Sequence, residues 1–351
     1  MTKSTKKILL YLAVFLPVTI VAVALRTLAL LLDLDEAGVY FNSNIMIGIA
    51  SALCVAFAVF AVSFSFDKKC KVSPAASFVN PQTYIPSGLA AVSLVFVAKE
   101  LFFSLIAIFE KSDTKSSNTP ILKLTLAAAA ILSVFCIISF FLNVFFEKRN
   151  NRTRAAFTMS CVAFLAIYSI YFFFSENLPL NAPNKAADQI AFIALSIFFL
   201  YETRISLGRP IWKLYVSFGL IAANLAFFSS IPSLIYYFVN GAADSAILSA
   251  GIPENVLAFV LGIYVLCRLW LVMTLVPDET CQTALAIEKM AKARIEEINS
   301  SKSQDENKPE APSTDEDLDG SNYEIEIPTF MNTEDGAFGE DIAAPENSKK
   351  D

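Results

Sequence analysis

The chain has no histidine. Imidazole is the group most membrane chemistry uses near neutral pH, so its absence excludes several classes together. Zinc peptidases with paired histidine ligands, Ser–His intramembrane proteases, histidine-ligated haem proteins and histidine-relay phosphatases all fall. Glycine is scarce, at 11 of 351 residues, and no Gly-rich phosphate loop is present. No catalytic set, metal site or cofactor is therefore expected, and a non-enzymatic role is the expectation.

Apolar residues are abundant instead. They make up 55% of the chain, and the mean hydropathy is +0.55. A bilayer core takes roughly 20 apolar residues per helical span. Eight stretches meet that length, at 8–32, 45–66, 85–109, 121–146, 156–174, 187–206, 211–239 and 255–276. The expected fold is an all-α polytopic membrane protein, a bundle of about eight transmembrane helices over residues 1–276.

Loop charge orients the bundle, because short Lys/Arg-rich loops stay in the cytoplasm. With a cytoplasmic N-terminus, the inner segments hold Lys3, Lys6, Lys7, Lys68, Lys69, Lys71, Lys148, Arg149, Arg152, Arg154, Arg204, Arg209 and Lys213. The outer loops hold only Lys111, Lys115 and Lys185. An even number of spans returns the C-terminus to the cytoplasm, so both ends face inward across a cell membrane. The first stretch also resembles a signal peptide, but its 18-residue run from Ile8 to Leu25 exceeds the usual h-region of about 7–15 residues.

The outer loops lack cysteine, which excludes an external disulfide framework. Cys54, Cys136, Cys161 and Cys267 fall within spans and read as small packing residues, while Cys70 and Cys281 lie at the cytoplasmic face. Aspartate is absent from the predicted membrane cores, which argues against an aspartyl dyad. Both Asn-X-Ser/Thr sequons, at Asn151 and Asn299, fall on the cytoplasmic side.

Charges at mid-bilayer cost about 2.5–3.5 kcal/mol each and need a reason. Lys99 and Glu100 stand at the centre of the third span. Glu100 shares a helical face with Ser93 and Ser104, and Lys99 one with Val92 and Phe103. The four residues Lys99, Glu100, Ser93 and Ser104 form a candidate ion or proton site; the plainer account is structural, each charge bonded to another helix or snorkelling through a water defect. Glu202 and Arg268 are a candidate cross-helix pair at the inner end. Arg26 stands near the outer end, where Asp33, Asp35 and Glu36 are placed to compensate it. For Arg26, Glu202, Arg204 and Arg268 alike, anchoring at the interface is the plainer account.

Small residues at Gly48, Ala52 and Ala56, and at Gly219 and Ala223, suggest close helix packing. The seventh stretch is 29 residues, about 43 Å as a helix. Ser229, Ser230 and Pro232 interrupt it, so a span ending near Phe228 and a bend into an interfacial piece are expected, with Tyr236 and Tyr237 in the headgroup belt.

Residues 277–351 carry 20 acids and 7 bases. Residues 277–300 read as a juxtamembrane amphipathic helix, and 301–351 as a disordered acidic cytoplasmic tail. Within the tail, Tyr323, Ile325, Ile327 and Phe330 alternate with acids, a pattern able to add to the sheet edge of a partner. A cytoplasmic protein with a basic surface suits this tail, and nucleic acid does not. The leading expectation is an anchoring, sensing or recruiting protein working through stalk and tail. A small-solute or ion transporter using Lys99 and Glu100 is the alternative.

Overall fold

The computed structural model describes residues 3–34, 40–66, 84–110, 120–145, 151–174, 182–207, 211–240 and 251–274. They form eight α-helices in chain order: α1 (Lys3–Leu32), α2 (Ile45–Phe66), α3 (Tyr84–Glu110), α4 (Pro120–Phe145), α5 (Asn151–Phe174), α6 (Pro183–Ser206), α7 (Trp212–Asn240) and α8 (Ile252–Thr274). All eight contain a stretch long and apolar enough to cross a membrane. This is a multi-pass membrane protein. The stalk, the tail and the thiols Cys70 and Cys281 lie outside the described residues.

Proline helps set several starts. Pro120 opens α4, and Pro183 opens α6 after Ala182, where a missing N–H costs nothing. Leu207 closes α6 by donating its backbone N–H to the Thr203 carbonyl at 3.0 Å. Only four residues separate Leu207 from Trp212, which makes α6 and α7 antiparallel neighbours.

Six helices form a closed ring: α3 packs on α4, then α5, α6, α7 and α8 follow in turn, and α8 returns to α3. Helices α1 and α2 pair with each other and lean on α7 from outside. Cross-helix contacts fix the directions. Tyr11, early in α1, bonds Ser63, late in α2. Tyr168, late in α5, meets Glu254 at the start of α8, and Phe140, late in α4, packs edge-on against Phe199, late in α6. Odd-numbered helices therefore begin at one end of the bundle, the near end, and finish at the far end.

The ring core is aromatic and aliphatic, with Phe164, Phe192, Phe198, Leu220, Leu257 and Val265 buried. Leu16, Ile20, Val55, Val59, Val92 and Phe103 are exposed, as a surface facing lipid tails requires. Helices α7 and α8 approach closely. A Cβ on Gly219 would come within 2.8 Å of Leu269, and one on Gly262 within 2.9 Å of Phe227. The expected stripe in α2 behaves otherwise. Gly48, Ala52 and Ala56 face outward, and α2 packs through Ala50, Cys54, Phe57, Ala61 and Phe64.

The seventh helix also departs from expectation. It runs unbroken through Pro232 to Asn240, and Tyr236 and Tyr237 are buried against Ala29, Leu30 and Phe41. Pro232 leaves the Phe228 carbonyl without its i→i−4 donor, and Arg26 of α1 supplies one. Ser230 and Ser233 bond the carbonyls of Ala226 and Ser229 within their own helix. The serines therefore satisfy their hydroxyls within the helix, and the stretch continues through them.

Candidate functional site

Two polar clusters lie inside the bundle, one in each half. Nearer the near end, Arg268 of α8 donates through Nη2 to Glu202 Oε1 of α6. Tyr215 of α7 donates its hydroxyl to the other oxygen, Glu202 Oε2, at 2.6 Å. All three are buried. The pair spans two helices that touch only lightly, while Tyr215 brings in the helix between them. A guanidinium and a phenol thus saturate one carboxylate, which is what a buried charge requires.

The far half holds the larger cluster. Arg26 is completely buried. Its Nη1 donates to the Phe228 carbonyl at 2.6 Å, its Nη2 to Asn184 Oδ1 at 3.3 Å, and its guanidinium lies 4.7 Å from the Phe228 ring centroid. The carboxylate that acts on it electrostatically is Asp188 of α6. Asp188 in turn accepts the Ser229 hydroxyl of α7. Of the partners expected near the end of α1, Asp35 and Glu36 lie outside the described residues; Arg26 turns inward to Phe228 and Asn184, with Asp188 in electrostatic reach.

Beside this group stands Glu254, in the first turn of α8. Its Oε1 accepts the Tyr168 hydroxyl at 2.9 Å, while its Oε2 is buried without a hydrogen-bond partner among the described residues. The side chain folds back over Gly251, the helix-capping position. A Cβ there would meet Glu254 Oε2 at 2.6 Å and Glu100 Oε2 at 3.6 Å. Glycine at 251 thus leaves room for two carboxylates, one from α8 and one from α3. Tyr171 lies within electrostatic reach of both, and Tyr237 within reach of both and of Asp188. The Arg26–Asp188 group and the carboxylate pair are neighbours.

Among the sequence candidates, Glu202 and Arg268 come together. Glu100 reaches the far-half site, but not with the companions its helical face suggested. Ser93 is buried and turns its hydroxyl onto the carbonyls of Leu89 and Ala90 in its own helix. Ser104 is half-buried. Lys99 is exposed on the bundle surface, with its ammonium 5.8 Å from the Phe103 ring centroid. Tyr323, Ile325, Ile327 and Phe330 lie outside the described residues.

Comparison with protein-family models, curated proteins and solved structures finds no match. The site must be read from its own chemistry.

Glu254, Asp188, Asn184 and Tyr168 are the residues that inspection of the sequence passed over. Asp188 and Asn184 sit beside the loop before α6, and Glu254 stands three residues after the loop before α8. Each looks like an interfacial polar residue in a one-dimensional reading. The one available signal was Gly251-Ile252-Pro253-Glu254, a glycine, a proline and an acid at helix-start spacing.

Among the described residues, no group of three or more acids or thiols gathers as a metal site. The arrangement offers paired carboxylate oxygens, phenol donors and one compensated guanidinium. That chemistry suits electrostatic capture of a small charged species at the far end of the bundle.

Proposed function

We propose that this membrane protein moves a small charged solute or ion through the α3–α8 ring. The observation that carries this reading is Glu254 Oε2, a buried carboxylate oxygen without a hydrogen-bond partner among the described residues, which meets Glu100 over Gly251. Intramembrane ionisable groups are rare because each costs about 2.5–3.5 kcal/mol on insertion scales, and those retained commonly mark ion or substrate paths. A second group, Glu202–Arg268–Tyr215, stands on α6, α7 and α8 nearer the other end. Polar stations in both halves of one ring are what a traversing solute needs. The absence of histidine supports a non-enzymatic process, and the Lys/Arg bias supports a near end that faces the cytoplasm.

The test is current across a solid-supported membrane bearing proteoliposomes of the full chain, challenged with jumps in inorganic cations, inorganic anions, amines and carboxylates. A protein-dependent current is expected for at least one class. It should be lost in Glu254→Gln and Glu100→Gln at equal protein density. Silence across the whole panel would overturn the reading.

The tail supports a second reading, that of a recruiter. Its 20 acids against 7 bases, with apolar residues alternating at Tyr323, Ile325 and Ile327, fit a basic protein surface. A stop after Ser301 discriminates between the two. Retained currents with lost cellular function would make the tail the effector and transport a separate matter.

A further inference from the structure

Glu254 and Glu100 meet over Gly251, with Tyr168 bonded to Glu254 and Tyr171 within electrostatic reach of both. Their chemistry narrows what can sit there. Glu254 Oε1 is already taken by Tyr168, which leaves Oε2 and the Glu100 carboxylate as acceptors. The electrostatic neighbours of Glu254 include two more acids, Glu100 and Asp188. The site therefore favours positive charge.

A hard metal ion is a poor fit. Calcium takes 6–8 oxygen ligands at about 2.3–2.6 Å, and magnesium demands near-octahedral geometry. Two carboxylates from different helices, one with an oxygen already taken by Tyr168, supply too few oxygens among the described residues. An ammonium group makes the opposite demand. It brings N–H donors that reach acceptors at hydrogen-bond distance. Tyr168 is stacked between Phe164 and Tyr171, with centroids 5.3 and 5.8 Å away, so its ring is held in place and it serves the site through its hydroxyl.

We infer that Glu254 and Glu100 bind the primary ammonium group of a small organic solute, with Tyr168 holding the Glu254 carboxylate in place. The inference deepens the transport reading and rests on it. Glu100 is exposed at the margin of the ring, whereas Glu254 is buried. The ammonium first meets Glu100 and then donates to Glu254 Oε2, which gains the partner it lacks. Lys99 adjoins Glu100 in sequence but turns to Phe103, on a neighbouring helical face. Among the described residues no cation forms an ion pair with the Glu100 carboxylate.

The assignment is checked on the purified full chain in detergent by thermal unfolding, with methylammonium, 1,4-diaminobutane, tetramethylammonium, sodium and calcium chlorides as probes. Methylammonium or 1,4-diaminobutane should raise Tm in a saturable way, since a ligand that binds only the folded state stabilises it. Tetramethylammonium, which carries charge but no N–H, should raise it less. In Glu100→Gln the half-saturating concentration should rise about tenfold or more, the equivalent of 1.4 kcal/mol. Glu254→Gln should abolish the shift, and Lys99→Gln should keep it. If Glu254→Gln does not fold, Glu100→Gln at the exposed margin carries the test alone.

Equal stabilisation by sodium or calcium would overturn the ammonium assignment in favour of a metal ion. No shift with either amine would overturn it outright. Amine binding without any transport current would sink the transport reading and leave the site standing. Current that survives both carboxylate substitutions would do the reverse.

Discussion

Arg26 Nη1 donates to the carbonyl of Phe228, the carbonyl that Pro232 deprives of its helical partner. A residue 202 positions away thus repairs a defect in α7. The repair also fixes α1 on the ring, since Asn224 of the same helix donates to Thr19 of α1 at 2.7 Å. Without the guanidinium, a bare carbonyl and the Asp188 charge would be left together inside the bundle.

This arrangement predicts a coupled pair. Arg26→Met should destabilise the protein by several kcal/mol, because it strands a buried carbonyl at about 1–3 kcal/mol and uncovers Asp188. Pro232→Ala restores an N–H to Phe228 and should recover at least about 1 kcal/mol in the Arg26→Met background. A double-mutant cycle of unfolding free energies in detergent measures the coupling. Strict additivity would show that the two sites are independent.

The Glu202–Arg268 pair should respond asymmetrically. Removing one partner, as in Glu202→Leu or Arg268→Met, leaves an uncompensated buried charge and should cost about 3–5 kcal/mol. Removing both should cost clearly less than either single change. Tyr215→Phe, which deletes one hydrogen bond to a charged acceptor, should cost about 1.5–3 kcal/mol. The readout is again unfolding in detergent. A double variant as weak as the sum of its singles would contradict the geometry.

Gly219 faces Leu269 across the α7–α8 contact, and Gly219→Val should overpack it by about 1–3 kcal/mol. Leu269→Ala in the same chain opens space and should return part of that loss. The outward Gly48 meets nothing within 4 Å, so Gly48→Ala should lie within about 0.5 kcal/mol of the wild type. Equal sensitivity at both glycines, measured as Tm, would refute the difference in packing.

Lys99 is expected to be dispensable for folding. Its side chain is exposed beside Phe103, so Lys99→Met should leave Tm close to that of the parent and raise the insertion efficiency of the third span. A drop of more than about 1 kcal/mol in unfolding free energy would reveal a buried partner.

The eight spans were legible in the sequence because membrane insertion is decided by the length and apolarity of single segments. Glu202 and Arg268 stood in the sequence as a candidate pair beside the plainer reading as interface anchors, and only the packing of α6 and α8 brings them together. The fate of Arg26 was not legible. In one dimension its nearest acids are Asp33, Asp35 and Glu36, and nothing local reveals that α6 and α7 pass on its other side.

The same reason separates the two halves of the carboxylate site. Glu100 stood out because it is an acid in the middle of an apolar run. Glu254 was masked by its place beside a loop, where an acid near a helix N-terminus is ordinary. The amino-acid sequence alone determined that the chain crosses a membrane several times and that Glu100 interrupts an apolar run, because each of these depends on the free energy of one segment in lipid. Which charges meet was decided only by tertiary structure. Closing α8 back onto α3 brings Gly251 between Glu254 and Glu100, and packing α1 against α7 delivers Arg26 to Phe228. Those contacts depend on which helices become neighbours, and no single segment carries that information.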